Sequence, residues 1–208
     1  MFTWKVCRQA ALIVLIGAMR ASAANADGTA LLKTLTSKYA AAKNVTVRFT
    51  EGEGQARLRG TATVEGTNKY RIDLSDRSIV CNGKTVWNYS PRDNRVTIDT
   101  YRPNRKTLSP EFFITRLPSD AKAALAEGKD GKRKLLTLEP PEADAWGVIT
   151  RLIVETDSDG SQIYSVTIVD ASAGQRTVHI QSTKFDQKIP ASTFEQDIPK
   201  GATVMDLR

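Results

Sequence analysis

The stretch Ile79-Val80-Cys81-Asn82-Gly83-Lys84-Thr85-Val86-Trp87-Asn88-Tyr89 establishes the fold class, because two alternating segments flank a turn dipeptide within it. Asn82-Gly83 is the dipeptide best suited to a type I′ hairpin turn, since both residues accept positive φ. Apolar side chains recur at every second position on both sides of the turn, which is the period of a half-buried strand. The stretch therefore predicts a β-hairpin with one apolar face.

The same period of two continues along most of the chain in both directions from the hairpin. It is present in residues 45–49, 58–64, 70–74, 96–98, 136–138, 152–154, 163–169 and 178–180. Short alternating segments separated by turn residues are typical of antiparallel sheets. We therefore predict about ten strands in one large, curved antiparallel sheet.

Two parts of the chain depart from this period and predict helices. Residues 29–43 carry Leu32, Leu35 and Tyr39 at helical spacing, so we expect one amphipathic helix there. Residues 101–130 are interrupted by three prolines, and within them we expect a short helix from Glu111 and a further helical turn or two over 121–126.

A sheet of this size has an apolar face that must be covered, and large twisted sheets curl. The two helical segments offer less apolar surface than the strands. Either the barrel closes on itself, or its concave face stays partly empty under a lid and admits an apolar ligand. Alternation places seven residues on that concave face: Tyr70, Ile72, Leu74, Trp87, Tyr89, Val96 and Ile98. Phe112 and Phe113, in the proline-bounded segment 109–117, are the candidate lid residues that meet the ligand.

The N-terminal residues 1–26 are typical of a cleaved export signal. Two basic residues precede an apolar run of about ten residues, which is half of what a membrane-spanning helix needs. Small residues then offer cleavage sites after Ala23 and after Ala26. We expect a periplasmic protein that forms a single domain over residues 27–208. Removal of the signal leaves 27 basic and 23 acidic residues, a net charge of +4.

Composition argues against nucleic-acid binding and against catalysis. The basic residues are scattered rather than grouped beside aromatic side chains, so no nucleic-acid partner is expected. His179 and Cys81 lie in separate strands without an evident catalytic partner, and Asp157 and Asp159 sit in a turn that lacks the spacing of a calcium loop. We expect no enzyme activity, no metal and no cofactor. Once Cys7 leaves with the signal, Cys81 has no disulfide partner and is expected to be a structural, half-buried residue.

Several stretches resemble the outer-membrane lipoprotein carrier (LolA) family. Residues 79–91 resemble its hallmark hairpin, and residues 194–204 are similar to its C-terminal Phe-x-x-x-x-Pro-x-Gly segment. Residues 109–114 stand where the family has a short apolar lid helix, and residues 47–50 resemble its first strand. The resemblance implies an unclosed β-barrel with an N-terminal helix and a helical lid. It also implies a monomeric periplasmic carrier that takes the acyl chains of lipoproteins from an inner-membrane release complex to an outer-membrane acceptor.

The sequence departs from the family at the position of its gating arginine. Family members that gate the lid place an arginine before a proline ahead of the strand that contains Tyr70, and here Gly66 and Thr67 occupy those positions. The hairpin around Gly54 is also short. Two alternatives therefore stay open besides the lipoprotein carrier: a carrier of another lipid, and an envelope sensor or interaction module with the same fold.

Overall fold

The computed structural model describes residues 10–52, 58–102, 117–128 and 131–208, with side chains from residue 25 onward. This part contains one α-helix, α1 (Ala10–Ala41), and a short 3₁₀ helix, Ala191–Phe194. Its strands are β1 (Asn44–Glu51), β2 (Leu58–Glu65), β3 (Lys69–Leu74), β4 (Ser78–Asn82), β5 (Thr85–Ser90), β6 (Arg95–Thr100), β7 (Lys122–Glu127), β8 (Arg133–Glu139), β9 (Ile149–Asp157), β10 (Ile163–Asp170), β11 (Gly174–Phe185) and β12 (Thr203–Asp206).

These strands form one open sheet in the order β12-β6-β5-β4-β3-β2-β1-β11-β10-β9-β8-β7. Every neighbouring pair is antiparallel except β12 and β6, which are parallel. Among the described strands, β12 and β7 stand at opposite edges, so the sheet does not close on itself. The predicted fold class, a mainly β unclosed half-barrel with an N-terminal helix, is confirmed.

Helix α1 packs on one face of the sheet, which we call the inner face. Leu31, Leu32 and Leu35 are buried there. Helix α1 can approach strand β7 closely because it has a glycine, Gly28, at the contact. A Cβ atom at this position would lie 3.0 Å from the backbone of Ala123. Leucine burial of this kind is worth about 1.5–3 kcal/mol per side chain, which fixes the helix against the sheet.

Helix α1 begins earlier in the chain than the sequence predicts. Helical spacing predicts residues 29–43; α1 ends close to that limit but begins at Ala10, ahead of both predicted cleavage sites. In the part of the chain that the structure describes, no helix combines the length and the hydropathy needed to cross a membrane.

The helical turn expected over residues 121–126 is wrong, because this segment is the edge strand β7. Ala123 pairs with Leu138 and Leu125 with Leu136, so both apolar positions face inward. The helix preference of alanine is under about 1 kcal/mol per residue, and strand pairing with a buried neighbour outweighs it. The expected helix from Glu111 and the short hairpin around Gly54 lie outside the described residues.

The hairpin of β4 and β5 forms as predicted, but its turn is shifted by one residue. Cys81 pairs with Val86, so Gly83 and Lys84 occupy the two central positions. Gly83 has a φ of +93°, whereas Asn82 is not in the positive region. Asn82 instead accepts hydrogen bonds at its side-chain Oδ1 from the backbone N–H groups of Lys84 (3.0 Å) and Thr85 (2.9 Å). A glycine at the first central position is typical of a type II′ turn, not of type I′.

Candidate functional site

Three rows of mainly apolar side chains cross the inner face of strands β1 to β5. Each row is set by the pairing register, because residues paired across antiparallel strands share a face. The rows are Val45-Val64-Tyr70-Cys81-Val86, Val47-Ala62-Ile72-Ile79 and Phe49-Gly60-Leu74. Tyr70, Ile72 and Leu74 therefore share one face of the sheet, as predicted.

Burial along these rows decreases from the centre of the sheet towards β5. Val47 is fully buried and Ile72 is 1 % exposed, whereas Leu74, Ile79 and Val86 are only partly buried. Residue pairs farther along the same face are polar: Asn88 pairs with Thr97. The inner face thus has a closed apolar core at β1 and partly accessible apolar surface at β3 to β5.

Phe49 lies over the backbone of β2 and leaves no room for a side chain at Gly60. A Cβ atom at Gly60 would fall 2.2 Å from Cζ of Phe49. Because the Phe49 ring is itself 2 % exposed, it has little freedom to move away. Glycine at this position lets the aromatic ring fill the third row.

Cys81 and Tyr70 are the polar side chains within the apolar rows, and burial keeps both neutral. Desolvation raises the pKa of the Cys81 thiol, although the thiol also accepts a hydrogen bond from the Gly83 N–H at 3.3 Å. Desolvation likewise raises the pKa of the Tyr70 hydroxyl, with a further contribution from Cys81. The Cys81 thiol donates to the Asn68 carbonyl at 3.1 Å. These rows therefore carry no charge at neutral pH, which suits an apolar ligand.

The prediction that Trp87, Tyr89, Val96 and Ile98 share the face of Tyr70 is wrong. Trp87 pairs with Val80 and Ile98, and Tyr89 pairs with Val96, so these side chains lie on the opposite, outer face. The reason is the two-residue turn between β4 and β5. Such a turn pairs odd-numbered residues of one strand with even-numbered residues of the next, so Cys81 shares its face with Val86 and not with Trp87.

These outer-face residues form a second, smaller apolar cluster under the C-terminal part of the chain. Val80 and Val96 are fully buried. Phe194 is 2 % exposed and belongs to the 3₁₀ helix, which contacts β3 and β4. The ammonium of Lys69 lies 5.8 Å from the centre of the Phe194 ring. Sequence reasoning missed this cluster, although the adjacent apolar pair Val80-Cys81 is a sign that both faces of β4 are covered.

The remaining candidates do not assemble into a catalytic or metal site. His179 is exposed on the outer face, opposite Thr50 and Ser165, whereas Cys81 is buried on the inner face. Among the described residues, no group of three His, Cys, Asp or Glu side chains is placed to hold a metal ion. Asp157 is engaged in its own turn, where its Oδ1 accepts from the Gln162 N–H at 3.1 Å. Phe112 and Phe113, the candidate lid residues, lie outside the described residues.

Comparison with known proteins gives matches over most of the chain. A family model described as outer membrane lipoprotein carrier protein LolA matches residues 32–197. The outer-membrane lipoprotein carrier protein of Pseudomonas aeruginosa (strain UCBPP-PA14) is 28 % identical over 207 residues, which cover 93 % of this chain and 96 % of that protein. The protein of the same name from Pasteurella multocida (strain Pm70) is 25 % identical over 193 residues, 90 % of this chain and 91 % of its own. Among solved structures, an uncharacterized conserved protein from Thermus thermophilus superposes with a TM-score of 0.53 at 12 % identity, covering 85 % of this chain and 96 % of its own.

Proposed function

Since the chain belongs to the family of the outer-membrane lipoprotein carrier protein LolA, we propose that it is a periplasmic carrier whose inner face binds the acyl chains of lipoproteins. The observation that carries this proposal is the set of uncharged apolar rows on β1 to β5, which are incompletely buried at Leu74, Ile79 and Val86. Tyr70, Ile72 and Leu74 are the predicted ligand-binding residues that share this face.

The energetics of lipid transfer favour an apolar face of this kind. Each methylene group that leaves a membrane for water costs about 0.8 kcal/mol, so a lipid anchor crosses an aqueous compartment only inside an equally apolar site. Sequestration of this sort involves no bond chemistry. The proposal therefore assigns the chain a binding and transport role and no catalytic residue.

The finer parts of the proposal rest on the sequence and on the relatives. Residues 1–26 are proposed as the export signal, and residues 27–208 as a single, monomeric binding domain. Phe112 and Phe113 are proposed as lid residues of this domain. The proposed donor is an inner-membrane release complex and the proposed recipient is an outer-membrane acceptor, as the resemblance of the sequence to the family implies.

A matched pair of substitutions tests the acyl-binding face. Ile79 and Ile153 are both half-buried strand residues, but Ile79 lies on the inner face and Ile153 on the outer face between Thr137 and Thr167. We expect Ile79→Glu to abolish the fluorescence increase of a bound acyl probe, and Ile153→Glu to retain it. Ile72 is a poorer choice because it is 1 % exposed, and an unpaired carboxylate there would destabilise the fold itself.

The control for both variants is their thermal unfolding, which identifies a loss of binding that comes from unfolding. Probe binding that is equal in the two folded variants contradicts the assignment of the inner face. Probe binding that is absent even from the unsubstituted protein contradicts the carrier function and favours an interaction module with the same fold.

A further inference from the structure

The chain after β11 crosses the outer face of the sheet and is tied down where it starts. The Lys43 N–H donates to Oδ1 of Asp186 at 2.7 Å. Asn44 makes two hydrogen bonds to Gln187: its Nδ2 donates to the Gln187 carbonyl at 2.8 Å, and its Oδ1 accepts from the Gln187 N–H at 3.0 Å. Asn44 is buried, so its two hydrogen bonds to Gln187 are partly shielded from solvent.

The same stretch is tied down again at its far end. The Thr193 carbonyl accepts a hydrogen bond from Nη1 of Arg71 at 3.4 Å, and the neighbouring Phe194 is buried. Oγ of Ser78 lies 3.3 Å from Oε1 of Gln196. Residues 188–192 therefore form a bridge between two anchors, and we call them the outer bridge.

A cavity of about 270 Å³ lies between the outer bridge and the sheet. Its cationic side chains come from three different elements: Arg48 from β1, Lys184 from β11 and Lys188 from the outer bridge. The hydroxyl groups of Thr46, Thr63 and Ser182 add neutral hydrogen-bonding groups. This volume is at the lower limit of small-molecule sites, so it suits a compact group and not an acyl chain.

The charge of this cavity is uncompensated. No acidic residue among those described lines it, and Arg48, Lys184 and Lys188 form no ion pair with any described residue. Arg48 pairs with Ser182, so Lys184 is its diagonal neighbour on the adjacent strand, at about 7–8 Å. The 7–8 Å separates the backbone positions of these two residues, and their exposed cationic groups can both reach an anion that binds between them.

Arg48 also lines a second, open cavity of about 640 Å³, which residues of the third inner row, Phe49, Gly60 and Leu74, line as well. This cavity adds Arg59, together with Asp73, whose carboxylate already accepts from Nε of Arg71 at 2.8 Å. The two cavities share Arg48 and together have room for a ligand larger than a single oxyanion. The charged part of such a ligand would lie under the outer bridge.

We propose that the cavity under the outer bridge binds a phosphate group, supplied by the head group of a phospholipid at the membrane surface. Phosphate oxygens accept strong, charge-assisted hydrogen bonds from arginine and lysine and further ones from hydroxyl groups. The site lies on the opposite face from the acyl-binding rows, so it goes beyond the proposed carrier function and can be tested separately from it.

The experiment compares two charge-matched triple variants. The site variant carries Arg48→Gln, Lys184→Gln and Lys188→Gln. The control variant carries Arg92→Gln, Lys33→Gln and Lys122→Gln, three exposed residues that line neither cavity. Inorganic phosphate is titrated at constant ionic strength while backbone amide shifts are followed by NMR, and flotation measures binding to phosphatidylglycerol vesicles and to phosphatidylcholine vesicles.

We expect phosphate to shift the amides of residues 48, 184 and 188 in the control variant but not in the site variant. Binding to phosphatidylglycerol vesicles should fall about a hundredfold in the site variant only, because each basic residue near an anionic surface contributes roughly a factor of five. The single variant Lys188→Gln, on the exposed bridge, provides a second measurement if the triple variant unfolds, and it should weaken phosphate binding and vesicle binding without lowering the free energy of unfolding.

Three results would overturn all or part of the proposal. If the site variant and the control variant lose phosphate and vesicle binding equally, the lower net charge and not the site is responsible for the loss. If phosphate shifts these amides in the control variant only, but both variants bind the vesicles equally, the phosphate site stands and the lipid head group is rejected as the source of the phosphate. Hexaglutamate is titrated in the same way, and amide shifts caused by this peptide but not by phosphate would assign the cavity to an acidic peptide and reject the phosphate site.

Discussion

At the level of single residues, Gly60 shows how one missing side chain shapes the inner face. The ring of Phe49 occupies the space that any larger residue at position 60 would need. Phe49 in turn belongs to the same buried cluster as Ile72, a predicted ligand-binding residue. The third row of the inner face therefore depends on glycine for its packing, even though Gly60 has no side chain that could contact a ligand.

We predict that Gly60→Ala destabilises the protein by about 1–3 kcal/mol, because overpacking displaces the Phe49 ring from a closed core. Urea unfolding measures this change. The double variant Phe49→Leu/Gly60→Ala should lose less than the sum of the two single variants, since leucine has no atom where the ring tip stood. Strict additivity of the two changes would show that the contact is not responsible.

At the level of helices and strands, the C-terminal part of the chain covers the outer face that β4, β5 and β6 leave apolar. The 3₁₀ helix contacts β3 and β4, and β12 pairs with β6 at the sheet edge. Val80, Val96 and Ile98 are buried on this side, separately from the inner core. The sheet is thus apolar on the inner side near β1 and on the outer side near β6.

Phe194→Ala should remove a buried side chain from the 3₁₀ helix that contacts β3 and β4, and cost about 3–5 kcal/mol, as is usual for a buried phenylalanine. Urea unfolding gives the total cost, and hydrogen exchange in β3 and β4, the strands that this helix contacts, should rise. Ile198→Ala, at a side chain that is 48 % exposed, is the matched control and should change stability by under about 0.5 kcal/mol. Acyl-probe binding should survive in Phe194→Ala, and its selective loss would show that the proposed binding site is on the wrong face.

At the level of the entire fold, an open sheet with one partly covered apolar face should be stabilised by the acyl chains that we propose it binds. A ligand at a hundred times its dissociation constant adds about 2.7 kcal/mol to the free energy of unfolding. The gain depends on binding to the folded state alone, since the unfolded chain has no apolar rows.

We predict that this stabilisation grows with acyl-chain length. A 16-carbon acyl probe should bind more tightly than a 12-carbon probe by up to about fourfold per added methylene, because each buried methylene contributes about 0.8 kcal/mol. Calorimetry should also give a negative heat-capacity change that is larger for the longer chain. Ile153→Glu serves as the folded control that keeps the effect, and equal affinities for the two probes would contradict burial along the apolar rows.

Local sequence patterns are sufficient to predict a mainly β structure with a leading helix and a hairpin at residues 79–91. They also identify Tyr70, Ile72 and Leu74 as one set of side chains. Alternation, turn residues and helical spacing act within a few residues, and a period of two marks one apolar face of a strand. The same locality explains why the length of α1 and the strand at residues 122–127 were not predicted.

The side of the sheet on which each apolar set lies depends on tertiary structure. Alternation establishes that β5 has an apolar side, but the pairing of Cys81 with Val86 turns Trp87 and Tyr89 outward. A shift of one residue in register exchanges the two faces of a strand. On the same outer face, the neighbouring strands β3 and β4 are contacted by the 3₁₀ helix that contains the buried Phe194, a residue more than a hundred positions away in sequence. Burial of the outer cluster depends on packing between segments that are distant in sequence. The local periodicity of the sequence does not specify which distant segments pack together.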